Sequence, residues 1–130
     1  MKNILKILKT IALLAIVFSC SNNSETTQEE ELNELNRLQL EIEQLIELKD
    51  CLEASNCNYI AFGSKPCGGP KSYLIYNSSV DIELLELKVI SYNNLDKAYN
   101  LKWGILSDCY FVTPPPSIEC INGTCTAIYN

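Results

Sequence analysis

Apolar and polar positions divide the chain into segments of different character. Residues 11–18, IALLAIVF, are apolar without a break, and residues 21–28, SNNSETTQ, contain no apolar side chain. From residue 29 onward apolar positions return at helical spacing, with Leu35, Leu38, Ile42, Leu45 and Leu52 as a stripe broken at Lys49, and Leu32, Ile46 and Leu48 widening it. No Gly or Pro interrupts this stretch, and strong helix formers fill it, so it predicts an amphipathic helix. Glu29, Glu30 and Glu31 at its start and Lys49 near its end suit the helix dipole. A sustained coiled coil needs three or four heptads. Only about two and a half fit here, so the favoured reading is one helix packing partly on its own domain. Extended to residue 52, such a helix reaches about 36 Å at 1.5 Å per residue.

Residues 58–63, NYIAFG, and 72–76, SYLIY, carry the aromatic and branched side chains of strands. Between them, Pro66, Gly68, Gly69 and Pro70 mark a turn that Cys67 is placed to staple. Residues 81–101 predict a long helix with Ser or Asp81 as its cap. Leu85, Val89, Tyr92, Leu95 and Tyr99 form its core stripe, and Gly104 stands in the stop position. Residues 109–112, CYFV, predict a third strand that ends at Pro114, Pro115 and Pro116. Residues 117–129 predict a hairpin around Asn122-Gly123, the preferred type I′ pair. In that register Cys120 faces Cys125 at a non-hydrogen-bonded site, where Cα atoms come within about 4.5 Å. The two are placed either to bridge each other or to point to the core and bridge the Cys51/Cys57 segment. The expected fold class is α+β: an N-terminal amphipathic stalk helix, then a small disulfide-stapled antiparallel sheet with one long packing helix.

The amino terminus reads as an address. Lys2, Lys6 and Lys9 precede the apolar run, and Ser19-Cys20 follow it, in the order of an export signal. A spanning helix needs roughly 18 or more apolar residues, and Lys6 and Lys9 interrupt any longer run. Val17-Phe18-Ser19-Cys20 resembles the lipobox of bacterial lipoproteins. That resemblance implies cleavage before Cys20, a lipid on its thiol and an acylated new amino terminus. Several acyl chains, at about 0.8 kcal/mol per buried CH₂, give a stable anchor where one does not. The resulting organisation is 1–19 signal peptide, 20–28 flexible tether, 29–50 acidic amphipathic helix and 51–130 cysteine-rich α+β domain.

Charge changes the picture of partners. The chain of 130 residues holds 10 basic and 16 acidic residues. Cleavage before Cys20 leaves 7 basic and 16 acidic residues, a net charge of −9. Such a chain repels phosphate backbones and is not expected to bind nucleic acid. Residues 20–50 carry −7 of this charge and residues 51–130 only −2, so the acidity belongs to the predicted helix as a solvated face.

The chain has seven cysteines and no histidine. Lack of histidine removes Ser-His-Asp and Cys-His sites and histidine pH switching. Setting Cys20 aside leaves Cys51, Cys57, Cys67, Cys109, Cys120 and Cys125, an even set that reads as a disulfide framework in an exported chain. Fifteen pairings are open to six cysteines. A domain of 80 residues is near the size at which a core alone is marginal. The nearest spacings, C-x5-C and C-x4-C, make a weak zinc signal, and no C-x-x-C redox motif is present. Phosphate-loop, dinucleotide and calcium-loop patterns are also missing. Glu83, Glu86, Asp96, Asp108 and Glu119 are scattered, with no spacing that sets two on one wall of a cleft. The expectation is a protein without catalytic residues, cofactor or metal.

Cys57-Asn58-Tyr59-Ile60, Lys65-Pro66-Cys67-Gly68-Gly69-Pro70, Trp103-Gly104, Ser107-Asp108-Cys109 and the terminal C-x4-C resemble small cysteine-rich lipoproteins of Bacteroidetes-type bacteria that have no assigned activity. The resemblance spans residues 51–125. It implies the cell envelope, at the outer membrane, and no reaction. The candidate binding face is the set of rigid turns: Lys65, Gly68, Gly69 and Lys71 in one, Pro114, Pro115 and Pro116 in the other. Their partner is expected to be a protein or glycan. Two alternatives stand beside this reading. Lys65 on a pinned loop is placed to be offered to a trypsin-like peptidase, although a Lys-Pro bond fits such clefts poorly. The acidic helix is the candidate surface of an envelope assembly factor.

Overall fold

The computed structural model describes residues 26–47 and 50–129. The expected signal peptide, the lipidation residue Cys20, most of the tether, and Leu48 and Lys49 lie outside the described residues. The elements are α1 (Gln28–Glu47), a short 3₁₀ turn (Ala54–Asn56), β1 (Cys57–Phe62), β2 (Ser72–Asn77), α2 (Ile82–Trp103), β3 (Ser117–Ile121) and β4 (Thr124–Ile128). The architecture is α+β, with two helices and two separate two-stranded antiparallel sheets. No helix among the described residues is long and apolar enough to cross a membrane.

α1 opens with a reciprocal cap. The Glu30 N–H donates to the Thr27 hydroxyl at 3.2 Å, and the Thr27 N–H donates to the Glu30 carboxylate at 2.8 Å. This satisfies two of the amide donors that a helix start leaves without partners. α2 is closed at both ends. The Asp81 carboxylate accepts the Leu84 N–H at 3.0 Å, and Gly104 adopts the left-handed conformation (φ 61°) while its N–H returns to the Asn100 carbonyl.

The two helices run antiparallel. Glu31 meets Lys102 and Trp103 at one end, and Glu41 meets Lys88 further along. Along this seam Leu35 and Ile42 of α1 pack with Leu85, Val89, Tyr92 and Tyr99 of α2, together with Phe62 and Val80. Full burial of side chains of this size stabilises by about 1.5–3 kcal/mol each. The Phe62 and Tyr92 rings stack with centroids 4.1 Å apart and planes inclined by 17°. Ile60 and Leu74 of the first hairpin pack against the same core, as the two-residue period of a strand requires. The apolar stripe of α1 therefore lies in the domain's own core, and the helix does not stand clear of it as a stalk.

The second hairpin turns on Asn122 (φ 52°) and Gly123 (φ 83°), with Cys120 opposite Cys125 as expected. Its cysteines do not bridge each other. Cys51 pairs with Cys120 and Cys57 with Cys125, across Cα distances of 5.9 and 5.5 Å. The third pair is Cys67–Cys109, also at 5.5 Å.

Two expectations are corrected. Residues 109–112 form no strand. Cys109 takes a positive φ of 53° that interrupts an extended run, and the Tyr110 carbonyl accepts from Lys65 Nζ rather than from a neighbouring strand. On α2, the buried stripe contains Asp96, while Leu95 is only half-buried.

Candidate functional site

Polar side chains on one face of α2 hold the connection between β1 and β2. Asn93 Oδ1 accepts the Gly63 N–H at 2.7 Å, and its Nδ2 donates to the Ala61 carbonyl at 3.2 Å. Asp96, 1% exposed, accepts the Ser64 N–H on Oδ2 at 2.8 Å and Lys71 Nζ on Oδ1 at 2.6 Å. Asn100 Nδ2 donates to the Ser64 carbonyl at 2.6 Å. The helix thus supplies partners for backbone groups that the hairpin ladder leaves behind. A carboxylate this deeply buried is tolerable because a cation and an amide both face it.

The connection folds tightly on itself. Pro66 follows Lys65 in a turn closed by the Gly68 N–H on the Lys65 carbonyl at 2.9 Å, and the Lys65 N–H donates to the Gly69 carbonyl at 2.9 Å. At Gly63 (φ 76°) a Cβ would stand 2.9 Å from the Cβ of Lys71, so only glycine fits where the chain re-enters the sheet.

Residues 105–116, all without regular structure, pass beside this loop and are fastened to it. Cys67–Cys109 is the covalent link. Lys65 adds a second: its Nζ donates to Asp108 Oδ1 at 3.0 Å and to the Tyr110 carbonyl at 2.7 Å, and it sits 5.9 Å from the Tyr110 ring centre. The Lys65 ammonium holds the Asp108 carboxyl below the usual carboxylate range, with help from the Tyr110 N–H. On this arm Leu106, Tyr110 and Phe111 are 92%, 73% and 72% exposed.

A cleft of about 400 Å³ lies between the loop and the last turns of α2. Pro66, Gly68 and Gly69 form one wall, and Lys97, Leu101 and Ile105 the other. Asn100 also lines it, and its buried Oδ1 has no hydrogen-bond partner among the described residues. The lining is part apolar and part amide and ammonium, a composition suited to holding a ligand.

Sequence-predicted residues fall into three groups. Gly68 and Gly69 stand at the cleft wall with exposed backbones. Lys65 and Lys71 have their ammonium groups tied to Asp108 and Asp96, and the Lys65 side chain is only 13% exposed. Pro114, Pro115 and Pro116 lie on the arm outside the cleft lining, with Pro115 buried. The sequence pattern does not single out Lys97, Asn100, Leu101, Leu106 or Phe111 as site residues. A usable signal existed in α2, where Asn93, Asp96 and Asn100 interrupt the apolar face at i, i+3 and i+7.

No family model matches the chain, and no curated protein or solved structure matches it either.

Proposed function

We propose that the chain is a lipid-anchored protein of the bacterial cell envelope whose cysteine-rich domain is a non-enzymatic binding module for a protein or glycan. The anchor reading rests on the charged and apolar order of residues 1–20 and on Cys20. The binding reading is carried by one observation: Leu106, Tyr110 and Phe111 stand exposed on an arm that a disulfide and the Lys65 contacts hold in place. Large rigid side chains on a preorganised segment lower the ordering cost of association. The neighbouring cleft gives such a partner a second point of attachment. Engagement of the Lys65 ammonium inside the site supports this reading over presentation of Lys65 to a peptidase.

Two measurements test it. Radiolabelled palmitate should enter the wild-type chain in bacterial cells and not the Cys20→Ala variant. Equal labelling of both removes the anchor assignment. A photo-reactive residue in place of Phe111, in the full chain, should give a discrete adduct whose mass separates protein from glycan. The same residue in place of Glu83, on the opposite end of α2, should give none. No adduct at Phe111 in intact envelopes would remove the arm from the binding face.

A further inference from the structure

The two disulfides at the second hairpin are neighbours. The sulfurs of Cys51, Cys57 and Cys125 all lie within 4.8 Å of one another, and Cys120 is bonded to Cys51. The hairpin register sets Cys120 directly opposite Cys125. Three sulfurs therefore share one partly buried site, and the fourth, that of Cys120, is tied to it through its bond to Cys51, so that the four cysteines arrive as two pairs. Cys51 and Cys57 flank the 3₁₀ turn, and Cys120 and Cys125 flank the Asn122-Gly123 turn. Tetrahedral zinc with Zn–S bonds of about 2.3 Å sets sulfurs roughly 3.8 Å apart. Reaching that arrangement requires the bonded pairs to open, Cys51 to stay near Cys57 and Cys125, from which its sulfur is within 4.8 Å, and the Cys120 side chain to swing in beside them once its bond to Cys51 is reduced. One spacing, C-x4-C, falls within the usual range for paired zinc ligands, and the other is one residue longer.

We propose that Cys51, Cys57, Cys120 and Cys125 form a four-thiolate zinc site when the chain is reduced, so that the same positions staple the fold by metal or by disulfide. Conversion needs a dithiol reductant. Each disulfide accepts two electrons and two protons from one dithiol, which leaves as its own disulfide. The four resulting thiols release their protons as Zn²⁺ binds. Cys67 and Cys109 take no part, since their link lies between the β1–β2 loop and the arm. This inference stands independently of the anchor and binding readings.

The test uses the full chain, reduced, freed of reductant and kept without oxygen. Titration with Co²⁺ should give the intense visible bands of tetrahedral thiolate coordination at one equivalent, and Zn²⁺ should bleach them. Added Zn²⁺ should also restore native secondary structure by circular dichroism. The Cys67→Ser/Cys109→Ser variant should keep the bands and their stoichiometry. The Cys57→Ser/Cys125→Ser variant should lose them, with apparent affinity down by at least tenfold. Absence of tetrahedral bands in the reduced wild type overturns the proposal. So do bands of equal strength in the Cys57→Ser/Cys125→Ser variant, or a reduced chain that Zn²⁺ leaves unfolded.

Discussion

Lys71 Nζ lies 2.6 Å from Oδ1 of Asp96, a carboxylate buried in the middle of α2 and otherwise facing the Ser64 N–H. The lysine side chain is partly exposed while the aspartate is not. Removal of one partner therefore has unequal consequences. Lys71→Met leaves a buried carboxylate with a single amide partner and should cost about 3 kcal/mol. Asp96→Leu frees an ammonium that water can reach, and the main loss is the Ser64 hydrogen bond, about 1–2 kcal/mol. In the Lys71→Met/Asp96→Leu double variant the loss should fall below the sum of the two singles. Urea unfolding of all three variants checks this, and an additive double variant rejects the coupling.

A second prediction concerns acid. The Glu31 carboxylate accepts from Lys102 Nζ at 2.6 Å and from Trp103 Nε1 at 2.8 Å, tying the first turn of α1 to the last turn of α2. Lys102 leads in lowering its pKa, from the ordinary 4.5 to about 2, with Thr26 and Trp103 adding to the effect. A group whose folded pKa is depressed binds fewer protons folded than unfolded. Its stabilising effect is present above the unfolded value and is lost as pH falls from 4.5 towards 2. Thermal melts of Glu31→Gln and wild type should differ at neutral pH and converge across this interval. A gap that stays constant down to pH 2 would falsify the assignment.

Much of this architecture was legible before any coordinates. Helical spacing located both helices, Asn122-Gly123 placed the second turn, and aromatic and branched runs placed β1 and β2, because each signal is local. Failures came where distant groups decide the backbone. Cys109-Tyr110-Phe111-Val112 has strand-like side chains, yet Cys67 and Lys65 hold it as an irregular arm. Asp96 reads as one of several scattered acids until Lys71 and Ser64 are brought to it from the far side of a turn. Pairing of Cys51 with Cys120 and Cys57 with Cys125 depends on where the second hairpin docks, which its own register leaves open. The cleft shared that difficulty: Gly68 and Gly69 announced a turn, whereas Lys97 and Leu101 sat unremarked on the outer side of a helix.

The three disulfides should separate on partial reduction. Cys67 and Cys109 are both exposed, whereas Cys51 and Cys57 are buried. Thiol–disulfide exchange requires access of the attacking thiolate to sulfur. Brief treatment with a small dithiol, followed by alkylation and peptide mapping, should therefore label Cys67 and Cys109 first. Loss of that single link should cost about 2–4 kcal/mol and leave both hairpins intact. Simultaneous labelling of all six cysteines would show that the domain opens as one unit.

Lys65 offers the sharpest test of the arm, because its ammonium and Cys67 fasten the same segment by different means. Its Nζ bonds to Asp108 and to the Tyr110 carbonyl, and both contacts end in Lys65→Ala. Asp108 is solvent-exposed, so the Lys65–Asp108 ion pair adds little to global stability. The Tyr110 carbonyl simply returns to water. Lys65→Ala should accordingly lower the global unfolding free energy only slightly, by roughly 1 kcal/mol or less. Local order should change more. Amide exchange at Tyr110, whose N–H donates to Asp108 Oδ1 at 3.1 Å, should accelerate at least tenfold. Amides of α2 and the two hairpins should be unaffected. Asp108→Asn should give an intermediate result, since it keeps an acceptor for the Tyr110 N–H but removes the charge that attracts Lys65. If binding depends on a preorganised arm, the photo-adduct at Phe111 should weaken in Lys65→Ala in step with the Tyr110 exchange rate. Unchanged adduct yield alongside fast exchange would mean that exposure of the ring, and not its positioning, is what the partner reads.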